Sequence, residues 1–172
     1  MRGQTPFIVS IATKSKVQRK MSETPVLELE RFLPYRLSVL SNRLSNAIAR
    51  CYETRFQLSV TEWRVIAVLG RFPGLSANEV AERTAMDKVA VSRAVARLLE
   101  SGRLQRDLHD ADRRRSVLEL SEAGYAIFKS VAPLALAYES ALLEALEPDE
   151  RDTLLALLDK LGAHAKDAER VL

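Results

Sequence analysis

Residues 76–115 set two helix signatures in close succession and follow them with an arginine-rich segment between two strand-like runs, an order that few folds accept. Ser76-Ala-Asn-Glu79 reads as a capping box, in which the two residues satisfy each other's backbone N–H groups at a helix start, and the helix it opens runs to about Thr84. Ala85-Met86-Asp87 joins it to a second helical pattern within the three or four residues that a helix-turn-helix uses. Asp87 suits the N-cap of that second helix, and Gly102 suits the left-handed position just past its end.

At about 100° per residue the second helix has two unlike faces. Val91, Ala94, Val95 and Leu98 form the core face, while Val89, Ser92, Arg93, Ala96 and Arg97 form the other. A small, polar face with cations at intervals can enter a groove about 12 Å wide, touch base edges and hold phosphates. A solvated surface helix has the same pattern, so the helix alone leaves both readings open. Lys88, Val89 and Ala90 make up the first turn; Lys88 is the candidate for a base or near-base contact and Arg93 for a phosphate. Ser76, at the head of the preceding helix, completes the contact set on this side.

Leu104–Leu108 and Ser116–Leu120 alternate as strands, and 109–115 forms the polar tip of a hairpin. That makes a winged helix-turn-helix. Asp112, Arg113, Arg114 and Arg115 sit on the tip, where arginines can reach an adjacent minor groove and sense its width and potential.

The run Asp112-Arg113-Arg114, followed by five residues and then Leu120-Ser121, resembles the wing signature of the MarR family of bacterial winged helix-turn-helix transcriptional regulators. Asp87-Lys88, Ser92-Arg93, Arg97-Leu98 and Gly102 resemble the same family's recognition helix, and the resemblance spans roughly residues 30–165. Ser121 stands where threonine is more usual, and both cap helices. The resemblance implies that Asp112 braces Arg114. It further implies a homodimer on a palindromic operator in double-stranded DNA, usually a repressor, released by a small effector such as an aromatic carboxylate or its thioester.

The chain outside 76–115 fits that expectation. Leu33, Leu37, Leu40, Leu44, Ile48 and Cys51 recur at steps of three and four, predicting an amphipathic helix from about Leu33 to Tyr52, with Pro34 in its first turn. Arg36, Arg43 and Arg50 line one border of that stripe; such a row can bind an organic anion or serve as solvated or intersubunit charge. Thr61 is read as the cap of a helix to about Arg71, with Trp63 either core or a pocket wall beside Arg64. Arg36, Arg43, Trp63 and Arg64 are therefore the candidate effector contacts. Ser121 caps a long helix stapled by Leu120 and Tyr125, its stripe running through Phe128, Val131, Ala135, Tyr138, Leu142 and Leu146, with a kink expected at Pro133. Pro148, Asp149 and Glu150 open another helix, whose stripe is Leu154, Leu157, Leu158, Leu161 and Ala165.

The expected fold class is all-α dominated with a minor β component: a two-stranded wing, and a helical dimerisation domain from the N- and C-terminal helices. Residues 1–24 are read as a mobile basic tail in which Met21 is an alternative start; 25–55 and 121–172 form the dimerisation region; and 56–120 form the DNA-binding domain. The terminal helices carry more apolar surface than a small winged core can cover, and pairing two chains is the economical solution.

Charge and residue chemistry narrow the functions further. The net charge is only +3, yet residues 88–115 hold eight basic and four acidic residues, whereas 116–172 hold five and eleven. The basic potential thus falls on the proposed DNA-binding element. A single cysteine, Cys51, allows no intrachain disulfide and no cysteine-based zinc site, which suits the cytoplasm; redox sensing through Cys51 is an alternative mode of control. The histidines are His109 and His164, far apart in sequence, so neither a metal site nor a catalytic residue is expected, and no cofactor is implied. No apolar run approaches the roughly 20 residues of a membrane span. A structural nucleic-acid-binding protein without ligand control is the remaining alternative.

Overall fold

The computed structural model describes residues 26–108, 116–168 and 170. They fall into two units, Met1–Ser41 and Asn42–Leu172. In the first, Phe32 N–H donates to the Glu28 carbonyl at 3.0 Å and leads into α1 (Leu33–Ala49), which crosses the boundary between the units. Leu33, Leu37 and Leu40 are exposed along its first half.

α1 ends earlier than its period suggests. Cys51 N–H donates to Ile48 and Tyr52 N–H to Ala49, bonds that tighten and terminate the helix, and Tyr52 turns into the core with its ring stacked on Trp63 at 5.5 Å. Burial of one aromatic thus outweighs continuation of the helix. A four-residue α2 (Glu53–Phe56) follows, closed by Gln57 at φ 53.

α3 (Val60–Arg71) begins ahead of the expected cap, correcting the assignment to Thr61. Ser59 is the N-cap: its hydroxyl accepts from Glu62 N–H, and the Glu62 carboxylate accepts from Ser59 N–H at 2.7 Å. α3 places Trp63, Val65, Ile66 and Leu69 in the core, and α4 (Ala77–Thr84) and α5 (Lys88–Glu100) add Val80, Ala81, Val91, Ala94, Val95 and Leu98. β1 (Leu104–Leu108) and β2 (Ser116–Leu120) pair antiparallel, Leu104 opposite Leu120 and Leu108 opposite Ser116. Leu75 bridges Leu118 on the other edge of β2 and so ties the loop before α4 to the wing.

α6 (Glu122–Leu143) starts at Ser121, whose hydroxyl accepts from Gly124 N–H at 3.1 Å. Gly124, Ile127 and Val131 are buried, and the helix continues through Pro133. Two approaches require glycine: a Cβ at Gly70 would meet the Phe128 ring, and one at Gly124 would collide with the Arg103 carbonyl oxygen. Beyond Val131 the α6 side chains Leu134, Leu136 and Leu142 are exposed, as are Leu154, Leu155, Leu157, Leu158 and Leu161 on α7 (Pro148–Ala168). By length and composition only, α6 is also apolar enough to cross a membrane, which is weak evidence for a span; its apolar residues form no uninterrupted run of that length, because Lys129 and Glu139 divide them.

Candidate nucleic-acid interface

The helix-turn-helix is built by local chemistry that the chain dictates. Ser76 Oγ accepts from Glu79 N–H, Ser76 N–H donates to Glu79 Oε2 at 2.7 Å, and both residues are thereby fixed at the head of α4. Ala85 takes a left-handed conformation, φ 50, and its N–H closes α4 on the Ala81 and Glu82 carbonyls. Such a φ is strained for a residue with a Cβ, and a three-residue connection between α4 and α5 imposes it. Asp87 Oδ1 accepts from Ala90 N–H at 2.9 Å, which sets the first turn of α5.

The two faces of α5 separate as the period requires. Val91, Ala94, Val95 and Leu98 are buried; Lys88, Ser92, Arg93, Ala96 and Arg97 are exposed, with Val89 at 55% and Ala90 half-buried. The outward row is therefore continuous: small side chains leave the helix backbone accessible, and the cations stand along its length. Gly102, φ 67, ends the helix in a Schellman arrangement, with Arg103 N–H to Leu98 and Gly102 N–H to Leu99. The chain then enters β1 at a fixed angle to α5.

Arg103 is a positioning residue that sequence reasoning missed. Its guanidinium donates to the Phe56 carbonyl at 2.7 Å, tying the start of the wing to the end of α2. The partners lie 47 residues apart, and neither carries a local pattern. Ser121 Oγ also donates to the Gly102 carbonyl at 2.6 Å, so one serine caps α6 and holds the base of the wing. Asp112, Arg113, Arg114 and Arg115 lie outside the described residues.

The candidate effector residues are scattered in what they do. Arg36 is exposed in the first unit and Arg43 is exposed in the second. Trp63 is 9% exposed, stacked on Tyr52 and on Phe128 at 6.5 Å, so it packs as core. Arg64 is half-buried and donates to Ser45 Oγ at 2.9 Å. Burial, with a smaller contribution from Glu53, pushes the Tyr52 phenol up to about 12 against the opposing pull of Arg64. Tyr52 is a neutral hydroxyl at physiological pH. Cys51 is half-buried against the core, and among the described residues no group of His, Cys, Asp and Glu side chains could hold a metal ion.

Comparison with known proteins agrees with this geometry. Residues 56–115 match the MarR family pattern. The HTH-type transcriptional regulator BilQ of Clostridium symbiosum (strain WAL-14163) is 31% identical over 97 residues, 56% of this chain and 67% of that protein. The crystal structure of a MarR/EmrR family transcriptional regulator from Acinetobacter sp. ADP1 is 30% identical, covers 82% of this chain and 99% of its own, and superposes with a TM-score of 0.76. The chain belongs to the MarR family. Another structure of this fold is the transcriptional repressor CouR bound to a 23-mer DNA duplex, 26% identical, covering 81% of this chain and 99% of its own, with a TM-score of 0.67. As a MarR-family member the chain is a DNA-binding transcriptional regulator.

Proposed function

We propose that this chain is a homodimeric, sequence-specific repressor that docks α5 in successive major grooves of a palindromic operator and leaves it when a small organic anion binds. The observation that carries the reading is the outward row of α5, Lys88, Val89, Ser92, Arg93, Ala96 and Arg97, held in register by the capped turn at Asp87. Arg93 and Arg97 grip phosphates, Lys88 and the small residues beside it face base edges, and Ser76 adds a contact at the head of α4. The reading extends to Asp112, Arg113, Arg114 and Arg115 as the further contacts that the family resemblance implies. CouR, a transcriptional repressor of this fold bound to duplex DNA, supports this reading.

Dimerisation is supported by the exposed leucines of α1, α6 and α7, apolar faces that a single chain leaves in water. In this reading 25–55 and 121–172 form the dimerisation region and 56–120 the DNA-binding domain. Control by a carboxylate or thioester is supported by Arg64, a half-buried cation beside the Tyr52–Trp63 stack, with Arg43 as a further cation of the same unit. The protein acts in the cytoplasm, where its DNA is, and performs no catalysis.

The test is Arg93→Ala. Removing a cation that neutralises a phosphate lowers affinity for all duplex sequences and reduces the slope of log K against log salt by about 0.9 for each phosphate no longer neutralised. A variant that instead changes operator preference at an unchanged slope exchanges the roles of Arg93 and Lys88.

A further inference from the structure

One cluster lies outside the row on α5. Phe72 ends α3 and is 37% exposed, and two guanidiniums share its ring: Arg83 at 4.2 Å from the centroid and Arg71 at 5.0 Å. Both arginines are exposed. Two like charges gathered on one ring repel each other, and an anion placed against both relieves that repulsion.

The position of the cluster says which anion. In a helix-turn-helix the first helix crosses the sugar-phosphate backbone while the second enters the groove. That first helix is α4, Ala-Asn-Glu-Val-Ala-Glu-Arg-Thr, and Arg83 is its sole cation. Arg83 stands in the last turn, a few residues before Lys88 starts α5, and the Phe72 ring holds it there. A stacked guanidinium has already given up rotamer freedom that a solvated arginine loses only on binding, and it keeps its N–H fork directed outward. The neighbouring loop is equally fixed: Gly74 N–H donates to the Leu118 carbonyl of β2 at 3.0 Å, so Phe72 is carried on a segment bonded to the wing.

We propose that Arg71 and Arg83, assembled on Phe72, form a second phosphate clamp that grips the DNA backbone beside the groove occupied by α5. The clamp reads no sequence; it adds affinity and fixes the angle of the winged domain on the duplex. The inference rests on the DNA-binding reading of α5, and the experiment separates the two.

Binding of the full chain to a duplex of arbitrary sequence is measured across a salt series for the parent, Arg93→Ala, the double variant Arg71→Ala/Arg83→Ala, and Phe72→Leu. Counterion release is sequence-independent, so no operator is needed. The clamp predicts that the double variant reduces the salt slope by about 1.8 per protomer engaged, two phosphates at about 0.9 each. It predicts that Phe72→Leu weakens binding while keeping most of the slope, because the charges remain and only their placement changes. A double variant with the parent's slope, beside a reduced slope for Arg93→Ala, overturns the clamp and leaves the α5 reading standing. A parent whose affinity does not fall with salt overturns both. Thermal melting guards against a trivial result: a double variant that melts lower yet keeps the slope assigns the stack to packing and refutes the proposal.

Discussion

Asp87 is where the fold and the proposed DNA contact meet, and its substitution separates two opposing effects. Its Oδ1 accepts from Ala90 N–H at 2.9 Å, and α5 has no acidic residue in its first turn, so the cap rests on this one carboxylate. Asp87→Ala removes the acceptor and costs about 1 kcal/mol. For a chain of this size that lowers Tm by about 2–4 °C. Asp87→Asn keeps an acceptor of similar capping strength and loses only the charge–dipole term, about 0.3–1 kcal/mol. DNA affinity gives the sharper contrast, because both variants delete a negative charge at the end of α5 that, in the proposed reading, faces the DNA. Electrostatics alone therefore tightens binding by both. If the capped turn presents Lys88 to the DNA, Asn binds at least as well as the parent while Ala binds more weakly despite the same charge change. Differential scanning calorimetry and a duplex titration at one fixed salt concentration check this. Ala binding as tightly as Asn would refute the reasoning.

Gly124→Ala sets helix propensity against space: alanine gains about 1 kcal/mol in a helix interior, but its Cβ would collide with the Arg103 carbonyl, whose backbone is fixed by the bond from Ser121 N–H. Overpacking costs about 1–3 kcal/mol, so chemical denaturation should show net destabilisation, and a more stable variant would contradict the packing. Tyr52 holds its proton more tightly folded than unfolded, so its contribution is fully present below pH 10 and is lost as pH rises toward about 12. Tyr52→Phe keeps the ring stacked on Trp63 and should remove that part of the alkaline decline; identical stability-against-pH curves would sink the assignment.

How much of this was legible in the sequence depends on how local each signal is. The capping box at Ser76, the cap at Asp87, the left-handed Gly102 and both strands are set by residues within a few positions of one another, and each stands where the pattern puts it. Ser59-Val-Thr-Glu62 carries the same box as Ser76-Ala-Asn-Glu79, yet Thr61 drew the assignment because it is also a capping residue nearer the apolar run. What the sequence hid is long-range. Tyr52 stops α1 by stacking on Trp63, Leu75 adds a bridge to β2, and Arg103 reaches the Phe56 carbonyl. None of these has a period or a spacing. At the interface the period sorted α5 correctly into buried and exposed residues, because a helix with one buried face must do so. The candidate effector residues were less legible: Trp63 joined a buried aromatic stack, and no sequence pattern distinguishes a core indole from a pocket wall.

The central claim is that two copies of α5, related by a two-fold axis, read one face of the duplex. Selecting bound duplexes from a random pool with the full chain, and determining the number of chains on the winning sequence by sedimentation, tests it most directly. The expected result is an inverted repeat whose half-site centres lie about 10 base pairs apart, occupied by two chains. A single asymmetric site bound by one chain, or no enriched sequence at all, would contradict it.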